Sequence, residues 1–192
     1  MHSPGSAFAR SDIVITRGGA IPGSAGASAF THGAPKRNGL PVLVAVPHAG
    51  RAYPDHVTAR MRDSRHAELR LEDRHVDRLA LEIVRQTGAG LLVAHAPRAM
   101  LDLNRAADDI DWDMIEGGRP LRLRNAVERA LDAPDPHSSS MRRARSGLGL
   151  VPRRLPGFGE IWHGRLAPSE LAARIEAIHV SYHTFLAAEL ER

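Results

Sequence analysis

His48 stands just past an apolar run, LPVLVAV from Leu40 to Val46, after Pro47 and two residues before Gly50. A histidine at the mouth of a buried strand is placed for metal ligation or acid–base work, because open α/β sheets bind ligands at the carboxyl ends of their strands. A second group lies in LEDRHVDRL, where Glu72, Asp73, His75 and Asp77 occur close together. Asp73 and Asp77, four apart, share a face of any helix containing both. Asp73 or Glu72 could give a carboxylate to an ion held by His48, with Asp77 orienting a ligand or pairing with an arginine. Asp73 equally suits a helix cap or first-turn acid. A third group, in APRAMLDLNR, contains Arg98, Asp102, Asn104 and Arg105. An Asn–Arg pair after a strand suits a carboxylate, since the guanidinium makes two parallel charge-assisted hydrogen bonds and the amide adds another. The same arginine could instead neutralise Asp108, Asp109 or Asp111. Finally, His179 and His183 are four apart, a zinc-chelating spacing, but Val180 stands where the metalloprotease pattern requires glutamate. They read as a polar helix rim or as part of a substrate pocket.

These residues need a scaffold. Leu40–Val46 predicts a strand covered on both faces, as in parallel sheets. A short helix follows around His56–Met61. Leu69–Gln86 predicts one amphipathic helix, with Leu71, Val76, Leu79, Ile83 and Val84 on a shared face and Gly88 as its stop. Gly90–His95 is a second strand, giving a βαβ unit, and Ala99–Leu103 suggests a third. The segments Ala107–Gly118 and Asp132–Ser146 read as long loops. Pro168–Leu190 predicts the last helix, with Leu171, Ile175, Ile178, Tyr182, Phe185 and Leu186 in its apolar stripe. Residues 1–38 are rich in Gly, Ser, Ala and Pro and read as a disordered or poorly ordered tail, within which Asp12–Thr16 could form an edge strand.

With 192 residues, 43% of them hydrophobic, the chain can bury the core of one domain. Cys is absent, which excludes disulfides, thiolate zinc sites and cysteine nucleophiles, so any metal must be held by His and carboxylates. A formal charge of +4 without a basic stripe interleaved with aromatics argues against a nucleic-acid partner. Arg142, Arg143 and Arg145 form the one candidate patch and read as a solvated loop. No apolar run reaches the roughly 20 residues a membrane helix needs, and the N-terminus lacks a leader pattern, so the expectation is a cytoplasmic protein without a membrane partner.

Taken in order, VPHAGRAYP, LEDRHVDRL, APRAMLDLNR, GLGLVPRRL and IHVSYHTFLAAEL resemble the N-formylglutamate amidohydrolase family. The resemblance covers residues 39–192 as one α/β domain. It implies a fold similar to zinc carboxypeptidases and aspartoacylases: a mixed, mainly parallel sheet flanked by helices. It implies hydrolysis of N-formyl or N-acyl amino acids, classically N-formyl-L-glutamate to formate and glutamate in histidine degradation. The cofactor implied is Zn2+ or another divalent metal, which lowers the pKa of bound water from about 15.7 to around 7. His48 would be the first ligand and Asp73 the second, with Glu72 its rival. Asn104 and Arg105 would hold a substrate carboxylate, and Arg98, Arg153 or Arg154 a second one. The partner implied is a small acidic substrate, and a homo-oligomer is allowed.

Family members normally continue past the final helix into a strand ending in an Asp-Leu-His-Ser type motif, which resembles the third metal ligand. By this resemblance the chain corresponds to the N-terminal part of such an enzyme, with an incomplete sheet and metal site. His95, His163, His179 or His183 would have to substitute. The alternative is a non-catalytic remnant that binds an acidic metabolite or a partner subunit.

Overall fold

The computed structural model describes residues 13–35, 40–118 and 143–191. Its centre is a mixed four-stranded sheet of β1 (Ile13–Gly18), β2 (Phe30–Pro35), β3 (Leu43–Val46) and β4 (Gly90–Ala94), in the order β1-β2-β4-β3. β4 is the apolar central strand. Its alternating side chains serve two cores: Leu92 and Ala94 face one, Leu91 and Val93 the other.

The expected parallel pairing of β3 with β4 is present, Val44 opposite Leu91. The sheet is not mainly parallel, however, because β1 with β2 and β2 with β4 both run antiparallel. Both of those pairings involve strands from the stretch whose composition suggested a poorly ordered tail. Composition misleads there because burial decides: Phe30 is 2% exposed and meets Tyr182 edge-on at 5.6 Å between ring centroids. β1 is the edge strand expected around Asp12–Thr16, within the described residues. Residues 1–12 and 36–38 of the tail, and most of the Asp132–Ser146 loop with Arg142, lie outside the described residues.

β3 is the opposite edge of the sheet, so it is less covered than its apolar sequence suggests. Ala45 is exposed, and Val42 just before it is 55% exposed. After β3 come α1 (Asp55–Thr58), α2 (Ser64–Leu71) and α3 (Val76–Thr87). Asp63 caps α2 by accepting the His66 N–H at 2.9 Å. The single helix expected over Leu69–Gln86 is therefore two. Glu72 leaves helical geometry with ψ at 131°, and His75 has φ at +68°, the one non-glycine residue with positive φ among those described. Apolar spacing continues across this break, which is why periodicity alone misses it. It also shifts the buried face of α3 to Ala80 and Val84, leaving Leu79 and Ile83 exposed. α3 covers one face of the sheet through Val46, Ala80, Val84 and Leu91.

The other face carries the larger core. It is closed by the final helix, built as α4 (Pro168–Arg174), a π-helical segment (Ile175–Val180) and α5 (Ser181–Leu190). Pro168 opens α4 where its missing N–H costs nothing. Ala99–Leu103 is not a strand. After Pro97 the chain turns, with Met100 N–H donating to the Pro97 carbonyl, and then runs buried, Asp102 N–H donating to Leu150 O at 2.7 Å. The Ala107–Gly118 loop contains only a 3-10 turn, Trp112–Met114, and β5 (Arg154–Leu155) and β6 (Gly159–Glu160) form a small ribbon. Among the described residues no helix is long and apolar enough to cross a membrane.

Candidate functional site

The chain leaves β3 at Val46 and turns, and His48 sits at the carboxyl end of the strand, 9% exposed. Gly50 makes that turn close-packed: a Cβ there would lie 2.0 Å from the Ala96 carbonyl oxygen. The break between α2 and α3 comes back to the same turn, because Asp73 N–H donates to His48 O at 3.0 Å. That bond places the Asp73 carboxylate beside the ring, Oδ2 lying 3.5 Å from His48 Nδ1. A continuous helix could not make this approach, so the residues that break the helix are the ones that bring Asp73 to His48.

The other ring nitrogen is held more tightly. His48 Nε2 lies 2.8 Å from Asp102 Oδ1. Asp102 is 1% exposed, and its remaining capacity is filled by Arg98 Nε at 2.9 Å and the Asn104 backbone N–H at 2.9 Å. Burial pushes the Asp102 pKa up, but the His48 hydrogen bond, Arg98 and the Asn104 N–H together outweigh it, so the group sits below the ordinary carboxylate value. An ionised Asp102 accepts the Nε2–H and leaves the Nδ1 lone pair turned toward Asp73. The sequence places Asp102 in the APRAMLDLNR group without giving it a role. The signal was there: a lone acid between Ala99-Met100-Leu101 and Leu103 must be buried, and a buried carboxylate needs partners.

Arg105 adjoins this network, its Nε 3.8 Å from Asp102 Oδ2 and donating to Leu148 O at 3.2 Å, while the Asn104 side chain is exposed. The final helix supports the segment from below. His183 Nε2 is 3.0 Å from the Leu103 carbonyl and His179 Nε2 is 2.9 Å from that of Arg105, with the two rings 4.2 Å apart. The π-helical segment carries His179, and both rings engage backbone carbonyls of the Leu103–Arg105 segment through Nε2.

The structure thus brings together His48, Asp73, Asp102, Arg98, Asn104 and Arg105. It does not bring in Glu72 or Arg154. The Glu72 carboxylate is engaged by Arg74 Nε at 3.1 Å and lies by the Tyr53 hydroxyl, whose pKa is raised by burial first and then by Glu72. Arg154 is exposed on β5 and pairs with Glu160 at 2.6 Å, and Arg153 pairs with Asp111 at 2.7 Å. His95 is tied to Thr31 Oγ1 at 2.6 Å, and His163 is exposed beside a separate cleft that includes Arg153.

A divalent ion can be weighed against this geometry. Two ligand atoms on one tetrahedral ion stand about 3.4 Å apart at ordinary zinc–ligand distances. His48 Nδ1 and Asp73 Oδ2, at 3.5 Å, have that spacing, and Asp102 on the far ring nitrogen is the carboxylate–histidine support that metal sites use. The pair therefore fits an ion as two of its ligands. Among the described residues no group of three His, Asp or Glu side chains is arranged to hold one.

A family model described as N-formylglutamate amidohydrolase matches residues 40–192. No curated protein matches the chain. Among solved structures the chain is similar to the N-formylglutamate amidohydrolase from Ralstonia eutropha JMP134, with 30% sequence identity and a TM-score of 0.66. The likeness covers 85% of this chain and 52% of the other, so the chain spans about half the length of that solved relative.

Proposed function

The chain belongs to the N-formylglutamate amidohydrolase family, and from that premise we propose that it hydrolyses the amide of an N-formyl or N-acyl amino acid, N-formyl-L-glutamate plus water giving formate plus L-glutamate. The observation that carries the reading is the His48 ring held between Asp102 and Asp73 beside an Asn104–Arg105 pair. His48 and Asp73 would hold a divalent ion, zinc by the chemistry of its donors. Such an ion, when bound, supplies Lewis-acid polarisation of the amide carbonyl and makes water acidic enough to react near neutral pH.

The chain's own residues do the rest. Asp102 accepts the Nε2 proton of His48 and fixes its tautomer, and Arg98 with the Asn104 N–H keeps Asp102 ionised. Arg105 donates from Nε to Leu148 O and from Nη1 to Asn104 O, and with its Nη2 and the Asn104 amide it would grip the glutamate carboxylate. A charge-assisted contact of that kind contributes about 1.5–3 kcal/mol, which favours anionic substrates. Histidine degradation and a cytoplasmic setting are the context this substrate suggests.

A second reading, a domain that binds an acidic metabolite without hydrolysing it, is favoured by one observation: among the described residues no third side chain joins His48 and Asp73 around an ion. Formate release from N-formyl-L-glutamate, assayed with added Zn2+, separates the two readings. Release that depends on His48 supports hydrolysis. Saturable glutamate binding without formate supports the second reading.

A further inference from the structure

A cleft of about 490 Å3 opens beside the loop that carries His48, between β1, the turn entering β2 and the first turn of α3. Its walls include Arg17, Ser28, Ala49, Arg51, Asp77 and His95. Arg17 and Ser28 come from residues 13–35, outside the 40–192 matched by the family, whereas Ala49 and Arg51 follow His48 directly. The cleft is therefore walled on one side by the family domain and on the other by a hairpin that the match does not cover.

Its charges do not cancel. Arg51 Nη2 is paired with Asp77 Oδ2 at 2.8 Å. The His95 ring is bonded to Thr31 Oγ1 at 2.6 Å, and burial first, then Arg17, holds its pKa below the ordinary histidine value, so at neutral pH it adds no charge. Arg17 makes no ion pair among the described residues, which leaves the cleft one positive charge in excess. The rest of the lining is small and apolar, with methyl groups from Ala27, Ala49 and Ala52. One cation, a hydroxyl and an imidazole above a floor of methyls suits a monoanion with a short hydrocarbon body, and a phosphate dianion poorly.

We infer that this cleft binds a small aliphatic carboxylate, with Arg17 as its counter-ion and Ser28 and His95 as hydrogen-bonding partners. The ligand is either a free acid or the carboxylate end of an acyl chain whose other end lies at the His48 site. The free-acid case does not depend on hydrolysis, because none of the three recognition residues belongs to the His48–Asp73–Asp102 network.

The test is an NMR titration of the full chain with butyrate, and separately with inorganic phosphate and N-succinyl-L-glutamate. Butyrate is expected to shift the His95 ring and Ser28 amide signals saturably, with phosphate much weaker. Arg17→Gln, at an exposed strand position, should weaken butyrate at least about tenfold, the loss of one charge-assisted contact, whereas Arg105→Ala should leave it unchanged. N-succinyl-L-glutamate shifting His95 and Arg105 together at one Kd identifies an acyl tail. Butyrate shifting His95 while N-succinyl-L-glutamate shifts Arg105 alone identifies a free acid, and either pattern supports the cleft. Butyrate shifts confined to Asn104 and Arg105, no saturation, or an unchanged Kd in Arg17→Gln overturns the inference, whatever the outcome of a formate assay.

Discussion

Asp102 Oδ1 stands 2.8 Å from His48 Nε2, so a carboxylate with 1% exposure fixes the ring from the side opposite Asp73. Replacing Asp102 by Asn keeps the shape and removes the obligate acceptor. The amide can then donate to Nε2 and turn the proton to Nδ1, the nitrogen that faces Asp73. The expected result is a loss of roughly 10–100-fold in zinc affinity and in formate release, with little change of fold. The 15N shifts of the His48 ring report the tautomer directly, and an unchanged tautomer with unchanged affinity would remove Asp102 from its assigned role.

Arg98 and Arg105 both reach Asp102, yet they should fail differently. Arg98 Nε donates to Asp102 Oδ2 at 2.9 Å, so Arg98→Ala removes one charge-assisted hydrogen bond from a buried carboxylate and should cost about 1.5–3 kcal/mol in urea unfolding. Arg105 is 3.8 Å away, and Arg105→Ala should leave stability nearly intact while raising KM for N-formyl-L-glutamate about 10–100-fold. If the two variants exchange these phenotypes, the assignment of support to Arg98 and substrate to Arg105 is wrong.

Much of this was legible in the sequence, and the failures have physical causes. LVAV and GLLVA are apolar runs bounded by Pro and Gly, and they form the parallel pair expected of them. The ordering of 13–35 was hidden because FTHGAP looks like loop composition, and only long-range burial of Phe30 makes it a strand. Phe30→Ala should therefore destabilise the whole domain by about 3–5 kcal/mol, and a chain begun at residue 40 should not give a cooperative unfolding transition. A mutant as stable as the parent would show that the hairpin is an appendage.

The break at His75 was invisible to periodicity because Leu71 and Val76 keep the apolar spacing across it. His75 pays for its φ of +68° in backbone strain of about 1–2 kcal/mol. His75→Gly should leave stability within about 0.5 kcal/mol, relief of strain offsetting lost chain stiffness, while His75→Val should lose more than 1 kcal/mol. Thermal unfolding of the two variants checks this. Equal losses in both would mean that the His75 side chain, rather than its backbone, matters.

The pH dependence of stability should have two stages. Burial, then His179, holds His183 below its ordinary 6.5, and burial with Arg17 does the same for His95. As pH falls below 6.5 the unfolded chain protonates these rings first, binds more protons than the folded chain, and gains on it. Stability should therefore decline from about pH 6.5 downward. The second stage comes from Asp102 and Glu170. Burial opposes their ionisation, but hydrogen bonds and arginines hold both below their ordinary 3.8 and 4.5, so their contribution is complete above those values and lost as pH falls through the folded pKa. His183→Gln keeps a donor for Leu103 O and should flatten the upper stage. An identical slope between pH 7 and 5.5 in parent and variant would contradict the His183 assignment.

His48, held by Asp102 and flanked by Asp73, is the proposed site of N-formyl amino acid hydrolysis. Formate released from N-formyl-L-glutamate, with Zn2+ supplied and the parent compared with His48→Ala, tests it most directly. Steady formate release by the parent and a drop to background in the variant are expected. Equal release by both, or none by a folded, zinc-supplied parent, would contradict it.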